Sequence, residues 1–175
     1  MDLLDLLCIP EKKDYECYSL LSSLLKRNPE FREVVAEGIK AGKIHGFTED
    51  MWKKINDQNC RSKDTFDDVF RLGYNIGDCT GSSIQYSYSL NYPMICGGEL
   101  PILRGTKNSP DGRHTWISDG GKIIDTSLML VIDEDFALRL GYIEQNRHNP
   151  NLSPRYCAAK DFTNDPELRR GRQHN

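Results

Sequence analysis

At 175 residues, 38% of them hydrophobic and 28% charged, the chain has the size and composition of one globular domain with a substantial core. A formal net charge of −3 excludes the global basic field of a nucleic-acid binder. No apolar run approaches the ~18 residues that suggest a membrane span.

The first ten residues, Met1 to Pro10, are apolar in part but lack a basic start and a small-residue cleavage site, so no signal peptide is visible. The expectation is therefore a cytoplasmic chain, or one in another reducing compartment, without nucleic-acid or membrane partners. The six cysteines, Cys8, Cys17, Cys60, Cys79, Cys96 and Cys157, are then read as mostly free thiols. No pair has Cys-x-x-Cys spacing, and the irregular spacing of Cys79, Cys96 and His114 argues against a zinc site. No metal or cofactor is expected.

In chain order, residues 1–74 read as a helical half. Cys17, Tyr18, Leu20, Leu21, Leu24 and Leu25 recur at helical spacing between Asp14, a candidate N-cap, and Arg27. Asn28-Pro29 ends that helix and starts another as cap and first residue, with Phe31, Val34, Val35 and Ile39 inward and a stop near Gly42. Thr48 caps a third helix, with Glu49 and Asp50 in its first turn and Phe47 packing on Trp52. A fourth runs from about Asp64 to Leu72.

Beyond Cys79 the composition changes. Residues 80–90 are serine-rich, a poor helix signal whose small side chains nonetheless suit a helix packed on a sheet. Met94-Ile95-Cys96 and Leu100 to Leu103 are short strand candidates, punctuated by Gly97-Gly98. Arg104 to Gly112 reads as a surface loop, Asp133 to Tyr142 as a short helix, and residues 146–175 as an irregular tail. Residues 75–145 are left as the core of the chemistry.

That core holds Cys79 in Gly-Asp-Cys-Thr-Gly, His114 in Arg-His-Thr-Trp-Ile and Asp125 in Lys-Ile-Ile-Asp-Thr. A thiol, an imidazole and a carboxylate are the parts of a nucleophile, its base and the group that orients the base. Asp119-Gly120 is a preferred pair for a two-residue type I′ turn, and a hairpin built on it sets Ser118 opposite Gly121 and His114 opposite Asp125. Directly opposed residues have Cβ atoms roughly 4.5 to 5.5 Å apart, within reach of a hydrogen bond. A register shifted by one residue is expected to separate the pair, and Gly121 leaves room for such a shift, because Gly120-Gly121 could form the turn instead or all three residues a longer loop.

A cysteine is more often a small buried residue than a nucleophile, and Cys8, Cys17, Cys60, Cys96 and Cys157 are read so. His45 and His148 are read as surface residues, Trp116 as core on the His114 face, and Asp78 as a helix cap.

Gly77-Asp78-Cys79, Asn91 through Gly98, His114-Thr115-Trp116-Ile117 and Gly120 through Thr126 together resemble the transglutaminase-like branch of the papain-like cysteine enzymes. The resemblance covers roughly residues 75 to 127. It implies an α+β fold in which a central helix headed by the cysteine packs on a small antiparallel sheet carrying His and Asp on neighbouring strands. The expected activity is amide hydrolysis or acyl transfer through a thioester, on a protein or peptide substrate, with a glutamine side chain among the candidates. Cys79 would attack, His114 would protonate the leaving amine and Asp125 would hold the imidazole. The backbone N–H of Cys79 is one oxyanion donor, with Asn75, Gln58 or Asn59 as candidates for the second.

An acetyltransferase acting on arylamines shares the triad order. Two other readings compete: a catalytically silent transglutaminase-like domain used as a binding module, and a regulatory or structural protein with incidental cysteines. The last requires His114 and Asp125 to lie apart.

Overall fold

The structure is a computed structural model that describes residues 2–8, 16–56, 83, 94–107 and 109–148. Its helices are α1 (Leu3–Leu7), α2 (Glu16–Arg27), α3 (Pro29–Lys40), α4 (Glu49–Asn56) and α5 (Glu134–Leu140). Its strands are β1 (Ile44–Gly46), β2 (Met94–Glu99), β3 (Arg113–Asp119), β4 (Lys122–Asp125), β5 (Leu130–Asp133) and β6 (Ile143–His148). They form one six-stranded sheet in the order β1-β5-β4-β3-β2-β6, and every neighbouring pair is antiparallel. The fold is α+β, as expected. Asp14, the helix expected over Asp64 to Leu72, the residues flanking Ser83 in the serine-rich segment, and the tail beyond His148 lie outside the described residues.

The first two long helices follow their apolar spacing. Leu21, Leu24 and Leu25 of α2 and Phe31 and Val35 of α3 are buried in the core, with Val34 and Ile39 partly covered beside them. Asn28 occupies the N-cap of α3 and Pro29 its first position, but the Asn28 amide turns back to donate to the Leu24 carbonyl at 3.1 Å. It closes the helix behind it instead of capping the one ahead. α3 ends at a left-handed Gly42, with the Lys43 N–H returning to the Gly38 carbonyl at 2.7 Å. At α4, Thr48 Oγ1 accepts the Met51 N–H at 3.2 Å, and Phe47 meets Trp52 at 5.6 Å between ring centroids. Both the cap and the staple are as expected.

The amino-terminal segment is not purely helical. β1 pairs Ile44 with Ile132 and Gly46 with Leu130, so residues 44–46 form an edge of the sheet. The Lys43 ammonium reaches the Asp133 carboxylate at 2.8 Å, and the Asp133 N–H donates to the Lys43 carbonyl at 2.9 Å. The sheet also continues past residue 145, because β6 runs through Asn146, Arg147 and His148, where an irregular tail was expected.

Two strand expectations are corrected. Gly97-Gly98 does not interrupt a strand: β2 runs through both glycines, and the ladder with β6 shifts register between them. A Cβ on Gly98 would collide with the Ile143 carbonyl, so glycine is what lets the β6 backbone approach there. Leu100 to Leu103 is not a strand, because Pro101, which has no N–H to donate to a ladder, opens a 3₁₀ turn over Pro101–Leu103.

The hairpin forms on Gly120-Gly121, not on Asp119-Gly120. Its pairs are Asp119 with Lys122, Ser118 with Ile123 and Ile117 with Ile124. Both turn glycines have positive φ, +48° and +91°, as a type I′ turn requires at its two central positions. Asn tolerates the left-handed region better than any other side chain, whereas Ala does not. Gly121→Ala is therefore expected to lower stability by about 1–2 kcal/mol, while Gly120→Asn stays close to wild type, both read from urea midpoints. Equal loss in the two variants would argue against this turn.

Candidate active site

The turn shift alters how His114 and Asp125 meet without parting them. Moving a two-residue turn by one position changes every opposed pair but keeps the same residues on the same face, because side chains alternate with period two. Continuing the observed pairing by one step sets Trp116 opposite Asp125, and His114 becomes the diagonal neighbour on the same face. The reach is still sufficient. His114 Nε2 and Asp125 Oδ2 are 2.6 Å apart, with side chains 1% and 0% exposed.

An ionised carboxylate only accepts hydrogen bonds, so Nε2–H is the donor. Nε2 being committed to Asp125, Nδ1 is the ring nitrogen through which His114 can exchange a proton with a reacting group. The ring is walled by aromatics: Trp116 at 6.1 Å and Tyr142 at 6.3 Å between centroids, with Trp116 and Tyr142 packed edge to face at 5.1 Å. Trp116 is buried core on the His114 face, as expected.

Asp125 ends β4 and is fixed on all sides. Its Oδ1 accepts the backbone N–H groups of Ser127 and Leu128, each at 2.9 Å, which shapes the turn leading to β5. Its Oδ2 accepts His114 and also the Tyr142 hydroxyl, again at 2.6 Å. These four donors fill the roughly four acceptor positions of a carboxylate. Burial alone pushes the Asp125 carboxyl upward, but the charge on His114 and hydrogen bonds from His114, Tyr142 and the Leu128 N–H outweigh it and hold it below its ordinary value. Burial, then the Asp125 charge, pushes the Tyr142 phenol well above its own.

Tyr142 went unnoticed as a site residue in the sequence, where it only ends a helix. Its arrival depends on Gly141, a left-handed residue with φ +95° that stops α5 and turns the chain toward β4. The usable signal is Leu140-Gly141-Tyr142, a helix stop followed at once by an aromatic that carries a hydroxyl.

A second buried polar group borders the pair. Ser83 is helical and fully buried, and its Oγ donates to the Thr115 carbonyl at 3.2 Å and lies 3.4 Å from Thr126 Oγ1. Thr115 follows His114 in β3 and Thr126 follows Asp125 just beyond the end of β4, so Ser83 meets the residue after each member of the pair.

Of the residues expected at the site, His114 and Asp125 are brought together. Cys79, Asn75, Gln58, Asn59 and Asp78 lie outside the described residues. His45 is exposed at the surface, as expected, with Nδ1 at 2.7 Å from the Gly46 carbonyl; the His148 side chain is not among those described. Cys8 is buried. Among the described residues no group of three or more His, Cys, Asp or Glu is placed to hold a metal ion, and no helix is long and apolar enough to cross a membrane. Compared with protein-family models, curated proteins and solved structures, the chain finds no match.

Proposed function

We propose that the protein is a cysteine-dependent amide hydrolase or acyltransferase of transglutaminase-like or papain-like architecture, with Cys79 as nucleophile, His114 as acid and base, and Asp125 as the residue that orients His114. The observation that carries this reading is the buried 2.6 Å contact between His114 Nε2 and Asp125 Oδ2. It fixes the imidazole tautomer and balances the positive charge that develops when the ring takes a proton. A regulatory protein with incidental cysteines required these two residues apart, and they are bonded.

Ser83 is the described residue nearest in sequence to the proposed nucleophile. It follows Cys79 by four residues, close to one turn of helix, and its hydroxyl is bonded to the carbonyl of the residue after His114. The resemblance to the transglutaminase-like enzymes implies a cysteine at the N-terminal end of the helix that packs on the sheet. There the helix dipole and the imidazole both favour the thiolate. Attack of the thiolate on an amide carbon, with collapse of the tetrahedral intermediate and transfer of the Nδ1 proton to the departing amine, leaves a thioester. Water or a second amine then attacks the thioester carbon and releases the thiol. The substrate class is a protein or peptide, a glutamine side chain included, and a thiol of this kind belongs in a reducing compartment.

The test is alkylation by stoichiometric iodoacetamide across pH, with the modified cysteine located by mass spectrometry. Cys79 is expected to react first among the six cysteines, and at pH 6 to lose about tenfold or more of its rate in His114→Ala, as thiolate fraction falls toward that of an ordinary thiol. A Cys79 no faster than the other five, or one indifferent to His114→Ala, overturns the enzymatic reading and favours the silent binding module.

A further inference from the structure

Tyr142 reaches the candidate site from outside the hairpin, and its placement is tightly specified. The Gly141 N–H donates to the Leu138 carbonyl and the Tyr142 N–H to the Ala137 carbonyl, both at 3.1 Å, so the end of α5 fixes the backbone from which the ring projects. The ring stands at 86° to Trp116, which limits its swing. Its hydroxyl ends 2.6 Å from Asp125 Oδ2, the oxygen that also receives His114.

We propose that Tyr142 is a positioning residue for the His114–Asp125 pair, acting through Asp125 to hold the carboxylate ionised and aimed at Nε2. The inference rests on the enzymatic reading above and adds to it a determinant of the pH range in which His114 works. The physical reasons are three. A hydrogen bond donated to a carboxylate favours its charged form, so the phenol extends downward the pH range in which Asp125 is an anion. Oδ1 is already tied to the Ser127 and Leu128 N–H groups, and the phenol fixes the remaining oxygen against rotation. By sharing Oδ2 with His114, the phenol also lowers that oxygen's affinity for the Nε2 proton, which stays on the ring and leaves Nδ1 as the base. The phenol's own shift upward keeps it a donor throughout the working range.

The test compares wild type, Tyr142→Phe, and protein with 3-fluorotyrosine inserted at position 142 alone. Phenylalanine keeps the contact with Trp116 and removes the donor; fluorination keeps shape and donor while making the hydroxyl more acidic, hence a stronger donor to the carboxylate. Asp125 titration is followed by carboxyl carbon NMR, and Cys79 reactivity by alkylation across pH. In Tyr142→Phe the Asp125 midpoint and the acid limb of Cys79 alkylation are both expected to move up by about one pH unit. In the fluorinated protein both move down.

An Asp125 midpoint unmoved in the phenylalanine variant overturns the proposal, as does a midpoint that moves while the alkylation limb stays put. The wild-type arm separates this from the enzymatic reading: a fast Cys79 with an unmoved Asp125 sinks only the role of Tyr142. A slow Cys79 in wild type sinks both. Should the phenylalanine variant fail to fold, the fluorinated protein carries the test alone, since a purely structural tyrosine would leave both readouts unchanged.

Discussion

Replacing Asp125 by alanine is expected to lower the stability of the fold by about 3–5 kcal/mol, read as a fall in urea midpoint at constant slope. The substitution removes one side chain but strands four donors: the His114 ring, the Tyr142 hydroxyl and the Ser127 and Leu128 N–H groups. In a site where Asp125 is 0% exposed, no water replaces the lost acceptor directly. Set against the ordinary range of about 5–15 kcal/mol for a whole domain, this is a large fraction. Asp125→Asn is expected to lose less, because an amide oxygen can still serve the two backbone donors.

The same comparison has a pH signature. Asp125 titrates below its ordinary value in the folded protein, whereas in the unfolded chain it returns to about 3.9. A folded-state pKa below the unfolded one means stabilisation that is complete above about pH 4 and is lost as pH falls toward the depressed folded value. The gap in stability between wild type and Asp125→Asn should therefore be level near neutrality and narrow progressively below about pH 4. A gap that does not change down to pH 3 would contradict the proposed ionisation of Asp125.

Trp116→Ala is expected to cost a further large amount, about 3–5 kcal/mol, by the same urea measurement. Trp116 is 2% exposed and lies edge-on to Tyr142 and beside His114, so its removal empties the centre of the aromatic wall. The cavity would free the Tyr142 ring, whose hydroxyl depends on that packing to meet Asp125. Trp116→Phe keeps most of the apolar contact and should lose clearly less. A loss within about 0.5 kcal/mol for the alanine variant would place Trp116 outside the core, as such small effects characterise surface positions.

The elements visible in the sequence were those governed by neighbours along the chain. α3 and α4 announced themselves through Asn28-Pro29 and Thr48, because helix starts are settled within a few residues, whereas the helix expected from Asp133 to Tyr142 stops two residues early at the left-handed Gly141. β1, β5 and β6 lacked such local marks. β5 lies inside the apolar run Leu128 to Ile132, which has no alternation to read because Leu130, Val131 and Ile132 are buried on both faces. β1 is three residues long and becomes a strand only by pairing with β5, some eighty residues away. β6 carries Glu144, Gln145, Asn146 and Arg147 and joins the sheet through its backbone, so its polar composition looked irregular.

The site divided in the same way. His114 and Asp125 were legible because a short turn brings them together, and the face they share does not depend on which of two adjacent dipeptides makes that turn. The wrong turn was favoured because Asp-Gly is the stronger local signal, whereas the observed ladder of β3 with β4 closes at Asp119 and Lys122, leaving Gly120-Gly121 as the turn. Tyr142 was not legible as a partner. It lies 17 residues beyond Asp125 and reaches it only once α5 has packed against β4 and β5.

The pairing of β1 with β5 also bears on how the chain is kept from sticking to others. β5 presents Leu130, Val131 and Ile132 along a line of backbone donors and acceptors, the composition that recruits foreign strands. Three residues of β1, with Lys43 clamped to Asp133 at their approach, cover that line and are too short to offer a long template of their own. Because β1 precedes β5 by more than eighty residues, the guard is synthesised first but can close only after the strand it shields has appeared. In the interval before closure, β5 is an open edge of the sheet.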